Sequence, residues 1–160
     1  AEAEMTGGGG ETSEVRFPPP LIFAGLLLAG LAADDLLGLN PAMPGVLRGV
    51  GIGIALVGAG LIAAALLQFR KAGNDPEPWK PDAAFVAQGL YRFSRNPMYL
   101  GMALLHLGIA LALDSLGALL TWPVASVLID RLVIAREERH LARRFGPEYQ
   151  EYRRNVRRWL

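Results

Sequence analysis

The sequence predicts an all-α, polytopic membrane protein with four transmembrane helices and a C-terminal helical tail, and three observations predict it. Four apolar runs, each about 14–24 residues long, approach the ~20 residues that span ~30 Å of hydrocarbon as a helix. None carries the polar stripe, at a period of 3.6 residues, that marks a helix packed on a soluble core. Thirteen of the sixteen Lys and Arg residues fall in two segments, 70–97 and 136–160, which four spans would bring to one side of the membrane. The positive-inside rule makes that side cytoplasmic and places both termini there.

Composition narrows the function classes. With 52% hydrophobic and 19% charged residues, the basic side chains sit beside long apolar runs rather than on a soluble frame, so no nucleic-acid partner is expected. The absence of Cys excludes disulfides, zinc–thiolate sites, iron–sulfur clusters and a cysteine nucleophile. His106 and His140, 34 positions apart, match no metal-ligand spacing, and no metal is expected.

Residues 1–17 are rich in Gly and Glu with little to bury, which predicts a disordered tail. Residues 1–4 precede Met5 and read as a cloning remnant; residues 18–160 form the membrane domain. Three prolines, Pro18 to Pro20, stiffen the approach to the first span, residues 21–39, whose only charges are Asp34 and Asp35. That run lacks the basic flank and small-residue cleavage site of a signal peptide. Asn40-Pro41 and Pro44-Gly45 predict a tight extracytoplasmic turn. The second span, residues 45–69, has no charge after Arg48, and the third, residues 98–113, none apart from His106. Asp114 is placed to cap the fourth, residues 116–129. In the tail, Leu141, Phe145, Tyr149 and Tyr152 share a helical face with Arg between them. Such a helix lies on an anionic membrane surface or folds back over the domain.

Gly58-Ala59-Gly60 with Ala63 fits a dinucleotide-binding pattern, but inside a membrane span that pattern lacks its strand. The set Gly49, Gly51, Gly53, Gly58 and Gly60 instead points to close helix packing. His106 shares a face with Tyr99 and Met102, and an intramembrane polar residue faces a cavity or a partner. Asp130 and Arg131 are placed to pair with charges on neighbouring helices. His140, in an Arg- and Glu-rich helix, is expected to be solvated.

The densest cluster is residues 88–101, QGLYRFSRNPMYLG, answered by Arg136-Glu137-Glu138-Arg139-His140 after the fourth span. Both pieces reach the same membrane face. Arg92, Arg95, Tyr91 and Tyr99 sit beside the N-terminus of a helix, where Arg and backbone N–H groups favour an anion. Arg for an anion, Glu for a cation and Tyr for a flat ring suit a zwitterionic ligand bearing an aromatic ring.

GLYRFSRNPMYLG followed by REERHLARRFGPEYQEYRRNVRRWL resembles the isoprenylcysteine carboxyl methyltransferase and phospholipid N-methyltransferase family of integral membrane enzymes. The likeness runs from about Gly58 to the end and includes LLQFRKAG, the R-x-P-x-Y-x-G core and the Glu-Glu pair. It implies S-adenosylmethionine as cofactor, in a cytoplasmic pocket walled by Ala84, Phe85, Val86, Tyr91, Arg95, Asn96, Pro97, Met98 and Tyr99. Glu137 would hold the cofactor's ammonium, and Gly58 and Gly60 would match a G-x-G used by the phospholipid enzymes. The chain departs from the prenylcysteine enzymes at Asn96, where they have His, and at Val133, where they have Arg.

The expected activity is S-adenosylmethionine-dependent methyl transfer to an amphiphilic, lipid-like acceptor at the cytoplasmic face of a prokaryotic inner or plasma membrane. Met102, His106, Arg131 and Arg136 are the candidates to meet the acceptor. Glu138, His106 and Tyr99 are the candidates for a base. A small hydrophobic thiol or hydroxyl, a prenylcysteine carboxylate, and a non-enzymatic membrane scaffold remain as alternatives.

Overall fold

The computed structural model describes residues 18–39, 41–74 and 85–160, and among them every regular element is helical. The expected tail 1–17, Asn40, Lys80 and Ala84 lie outside the described residues. The elements are α1 (Pro19–Leu37), α2 (Gly45–Lys71), a 3₁₀ turn (Gly89–Arg92), α3 (Pro97–Ala112), α4 (Leu116–Leu128), a π-helical stretch (Ile129–Ile134) and α5 (Ala135–Asn155). Three helical stretches are long and apolar enough to cross a membrane: α1, α2 and the continuous Leu116–Asn155, while α3 is apolar but shorter at 16 residues.

Local chemistry sets the ends. Proline stands at the first turn of α1 and of α3, where its missing N–H costs nothing. Gly38 ends α1 at φ 65°, a left-handed conformation that returns its N–H to the Asp34 carbonyl. The cap of α4 differs from expectation. Ser115, not Asp114, is the N-cap, and its Oγ accepts from Ala118 N at 2.9 Å. Ser115 has the extended backbone that a cap requires, whereas Asp114 is in the turn before it at φ 52° and pairs with Arg48.

Glycine sets the packing of α2 on α3. A Cβ at Gly51 would meet Ala112 N at 2.6 Å and Gly108 O at 2.7 Å. A Cβ at Gly58 would meet Leu105 N at 2.6 Å and Gly101 O at 2.7 Å. Gly51 and Gly58 on one helix therefore oppose Gly108 and Gly101 on the other, each pair seven residues apart, and the antiparallel backbones touch.

The helices next to each other in space are not all next to each other in sequence. Besides α2 on α3, the main contact is α1 on α4, through Gly30 against Gly117 and Ala118. Asp34 reaches across that seam: Oδ1 accepts from Gly117 N at 2.8 Å and Oδ2 accepts from Ser115 Oγ. A charge inside the first apolar run is thus accounted for, since it satisfies N–H and O–H groups at the start of α4.

The core joins α1, α3, α4 and the π-helical stretch. Phe23, Ala103, Ala125, Ile129, Val133 and Ile134 are buried, and Ile22, Leu26, Tyr99, Met102 and Trp159 pack on them. Helix α5 folds back over one end of the bundle, with a break at Gly146 (φ 53°, ψ −126°) before Pro147. His140 is 3% exposed rather than solvated, because α5 is covered by the rest of the protein on more than one side at its start, where Glu138 is buried as well.

Candidate functional site

At one end of the bundle, three clusters converge on the start of α3. The first is a single hydrogen bond. Tyr99, in the first turn of α3, donates from its hydroxyl to Glu137 Oε1 at 2.7 Å. Glu137 is in the first turn of α5, so the π-helical stretch that precedes it sets where the carboxylate arrives. Such inserted turns re-aim side chains and are frequent at functional sites.

The second cluster is ionic. Glu138, with a side chain 6% exposed, accepts from Arg95 Nη2 at 2.9 Å and from Arg158 Nη2 at 2.7 Å. Arg158 also reaches Asp130 through Nη1 at 3.2 Å, and Trp159 Nε1 donates to Asp130 Oδ1 at 3.0 Å. The two acids between them hold two arginines, so charge is balanced around Glu138 and Arg95, whose side chains are largely shielded from water. The hydrogen bond from Arg158 to Glu138 is the largest cause raising the Arg158 pKa above its usual range; burial opposes it, and the charges of Glu138 and Asp130 add to the rise. Residues 157–159 form a strap to the segment before α3: Arg95 N donates to Arg157 O at 3.0 Å and Asn96 Nδ2 to Arg158 O at 2.9 Å.

The third cluster is aromatic. The Phe85 ring lies 5.2 Å from Phe145, 5.7 Å from Tyr149 and 5.6 Å from Tyr152 between centroids. Tyr152 donates to the Tyr91 carbonyl at 2.7 Å, tying α5 to the 3₁₀ turn. The tail face seen in the sequence thus folds back over the domain.

These clusters gather Phe85, Tyr91, Arg95, Asn96, Tyr99, Glu137 and Glu138 around one end of α3, whose first two residues are Pro97 and Met98; Val86 follows Phe85 in the chain. Other candidates lie apart. His106 is about 10 Å along the helix from Tyr99 at ~1.5 Å per residue, and its Nε2 is 3.0 Å from the Ala118 carbonyl. Gly58 is filled by the α3 backbone, whereas Gly60 is exposed and nothing lies within 4 Å of a Cβ placed on it. Met102 packs on the apolar core. Arg131 is 79% exposed with Asp130 at 3.6 Å, and Arg136 is exposed. Val133, 2% exposed, is in the core where the prenylcysteine enzymes have Arg.

Sequence reasoning missed Arg158 and Trp159. Eight Arg follow residue 135, and nothing in their spacing singles out the one that meets both acids. A tryptophan at the end of a charged tail is the available signal, since an indole carries a large apolar body to bury and an N–H to pair.

The fold and the clusters define a helical integral membrane protein with a charged and aromatic site at one end of its bundle. Residues 47–148 match the phospholipid methyltransferase family, and the chain belongs to that family. It is also 41% identical over 63 residues to an uncharacterised protein of Haemophilus influenzae, a stretch that makes up 39% of this chain and all of that relative. No solved structure matches.

Proposed function

We propose that this methyltransferase moves the methyl group of S-adenosylmethionine to an amphiphilic acceptor at the cytoplasmic face of a membrane crossed four times. The observation that carries this reading is the joining of Tyr99 and Glu137 at the foot of an apolar bundle in a phospholipid methyltransferase family chain. The helix α3 makes the fourth crossing with 16 residues, about 24 Å of helix at ~1.5 Å per residue.

The residues present fit the cofactor. Glu137 offers a carboxylate to an ammonium. Arg95 Nε is buried and has no hydrogen-bond partner among the described residues, and a ligand carboxylate would satisfy it. Phe85 and Tyr152, both half-buried, offer aromatic surface to adenine. When bound, the cofactor supplies an electrophilic methyl group on a sulfonium.

The chain's own part is alignment and exclusion of water. Holding donor and acceptor in line is worth several kcal/mol of barrier, on the order of 7–11 in well-oriented systems. Glu138 is committed to Arg95 and Arg158 at 2.9 and 2.7 Å, contacts that suit a structural role. Tyr99 and Glu137 form the hydrogen-bonded pair nearest the start of α3, and they are the candidates to hold an acceptor's proton. A prenylcysteine carboxylate loses its expected clamp, because Val133 is buried and Arg131 and Arg136 point outward.

The test is incubation of purified protein with methyl-labelled S-adenosylmethionine and membrane lipid extract. Label in the organic phase supports the reading. Label confined to water-soluble products, or S-adenosylhomocysteine failing to bind, overturns it.

A further inference from the structure

We propose that the edge formed by Phe93, Leu160 and the exposed Arg92, Arg153 and Arg157 is a docking surface for the anionic lipid headgroups of the membrane that the protein crosses. The proposal goes beyond methyl transfer. It rests on the reading of α3 as a crossing helix, which puts the segment before Pro97 at the membrane boundary.

Two chain segments run side by side at this edge. Tyr152 donates to the Tyr91 carbonyl at 2.7 Å, Arg95 Nη1 to the Arg153 carbonyl at 3.3 Å, and Arg95 N to the Arg157 carbonyl at 3.0 Å. Residues 91–95 are thereby fastened along the last turn of α5 and the residues that follow it. Ser94 Oγ adds a joint, donating to the Arg158 carbonyl at 3.4 Å. Phe93 is one residue before that joint and 72% exposed, and Leu160 is two residues beyond it and 70% exposed.

The aromatic face of α5 is spent inside the protein, since Tyr149 is buried and Tyr152 is tied to Tyr91. The basic edge is not. Arg92, Arg153 and Arg157 are exposed, and their side chains form no ion pair among the described residues. Glu148 and Glu151 are the acids of this half of α5, and at ~100° per residue they lie about 140–160° round the helix from Arg153. Arg154 is one turn from Glu151 and shares its face. Arginines around two exposed apolar side chains match the boundary of a bilayer: the guanidinium groups meet phosphate while Phe and Leu enter the acyl layer. Each basic side chain close to an anionic leaflet favours contact about fivefold, so three favour the docked state on the order of a hundredfold.

The chain has no native Cys, so Phe93→Cys carries a single spin label. The protein is placed in vesicles of dioleoyl phosphatidylcholine, or of that lipid mixed equally with dioleoyl phosphatidylglycerol. Collision of the label with oxygen, which concentrates in lipid, is compared with collision with a neutral, water-soluble nickel chelate. The oxygen-to-chelate ratio is expected to rise several-fold in the mixed vesicles. High salt reverses the rise, because exposed charges are screened. Arg92→Gln, Arg153→Gln and Arg157→Gln together abolish it, and a label at Leu160→Cys behaves as the one at Phe93→Cys does. An equal ratio in both vesicles overturns the proposal, whether the label is wet or lipid-buried in both. So does a rise that survives the three substitutions, or a label shielded from both reagents, which marks a protein contact. Should the triple variant fail to fold, the salt dependence decides. Cysteines at Ala42 and Gln150 that label from one side of sealed vesicles remove the crossing reading and the proposal with it; an equal ratio with opposite-side labelling removes the proposal alone.

Discussion

Tyr99 and Glu137, 38 residues apart, share a 2.7 Å hydrogen bond that ties the first turn of α3 to the first turn of α5. Removing the carboxylate's charge tests what the pair holds. Glu137→Gln keeps an oxygen for Tyr99 but loses the attraction for an ammonium. It should weaken S-adenosylhomocysteine binding by ~1.5–3 kcal/mol, the range for a hydrogen bond to a charged group. Calorimetry giving wild-type affinity would take Glu137 out of the site.

The neighbouring acid should behave differently. Glu138→Gln leaves Arg95 and Arg158 facing each other without their shared anion, in a place where the acid's side chain is 6% exposed. Breaking a buried pair of this kind costs on the order of 3 kcal/mol. Asp130→Asn should cost nearer ~1 kcal/mol, because Asp130 and Arg158 are 20% and 32% exposed and solvent screens them. Thermal unfolding in detergent orders the two variants, and a reversed order would contradict the network described above.

Two glycines on one helix make a sharper contrast. Gly58→Ala places a methyl 2.6 Å from Leu105 N and must push α2 and α3 apart. Gly60→Ala meets nothing within 4 Å and gains ~1 kcal/mol of helix propensity. Loss of stability in the first and none in the second is expected, with S-adenosylhomocysteine affinity unchanged by Gly60→Ala. A drop in affinity there would place Gly60 in the cofactor site.

Topology is open to a clean chemical test, because the chain has no native Cys. Single cysteines at Ala42 and Gln150 should react with a membrane-impermeant maleimide from opposite sides of sealed vesicles. Labelling from the same side would contradict four crossings.

The sequence made the helices and their order legible because apolar length is a local property, read without knowing what lies opposite. The glycine spacing announced close packing, yet only the structure distinguishes Gly58, which meets a backbone, from Gly60, which meets nothing. Long-range polar pairing was not legible. Asp34 reads as an anomaly in an apolar run until Gly117 and Ser115 are brought beside it. His140 reads as solvated by its charged neighbours, but burial depends on how α5 folds back and not on composition. The Arg-Asn-Pro-Met-Tyr and Glu-Glu motifs point to the candidate site through resemblance, whereas the Arg158 and Trp159 contacts with Glu138 and Asp130 join residues 20 to 29 apart in the chain.

The pairing of α1 with α4 has a consequence for how the protein is made. Helices enter a bilayer in the order of synthesis, so α2 and α3 can zip together through their glycines as soon as both have emerged. α1 cannot. It must wait in lipid, with the Asp34 carboxylate lacking the Ser115 and Gly117 donors it will finally hold, until some eighty further residues have been threaded. A ribosome that stalls within α4 therefore leaves a nascent chain with a half-built bundle and a stranded acid, a form that membrane quality control can recognise.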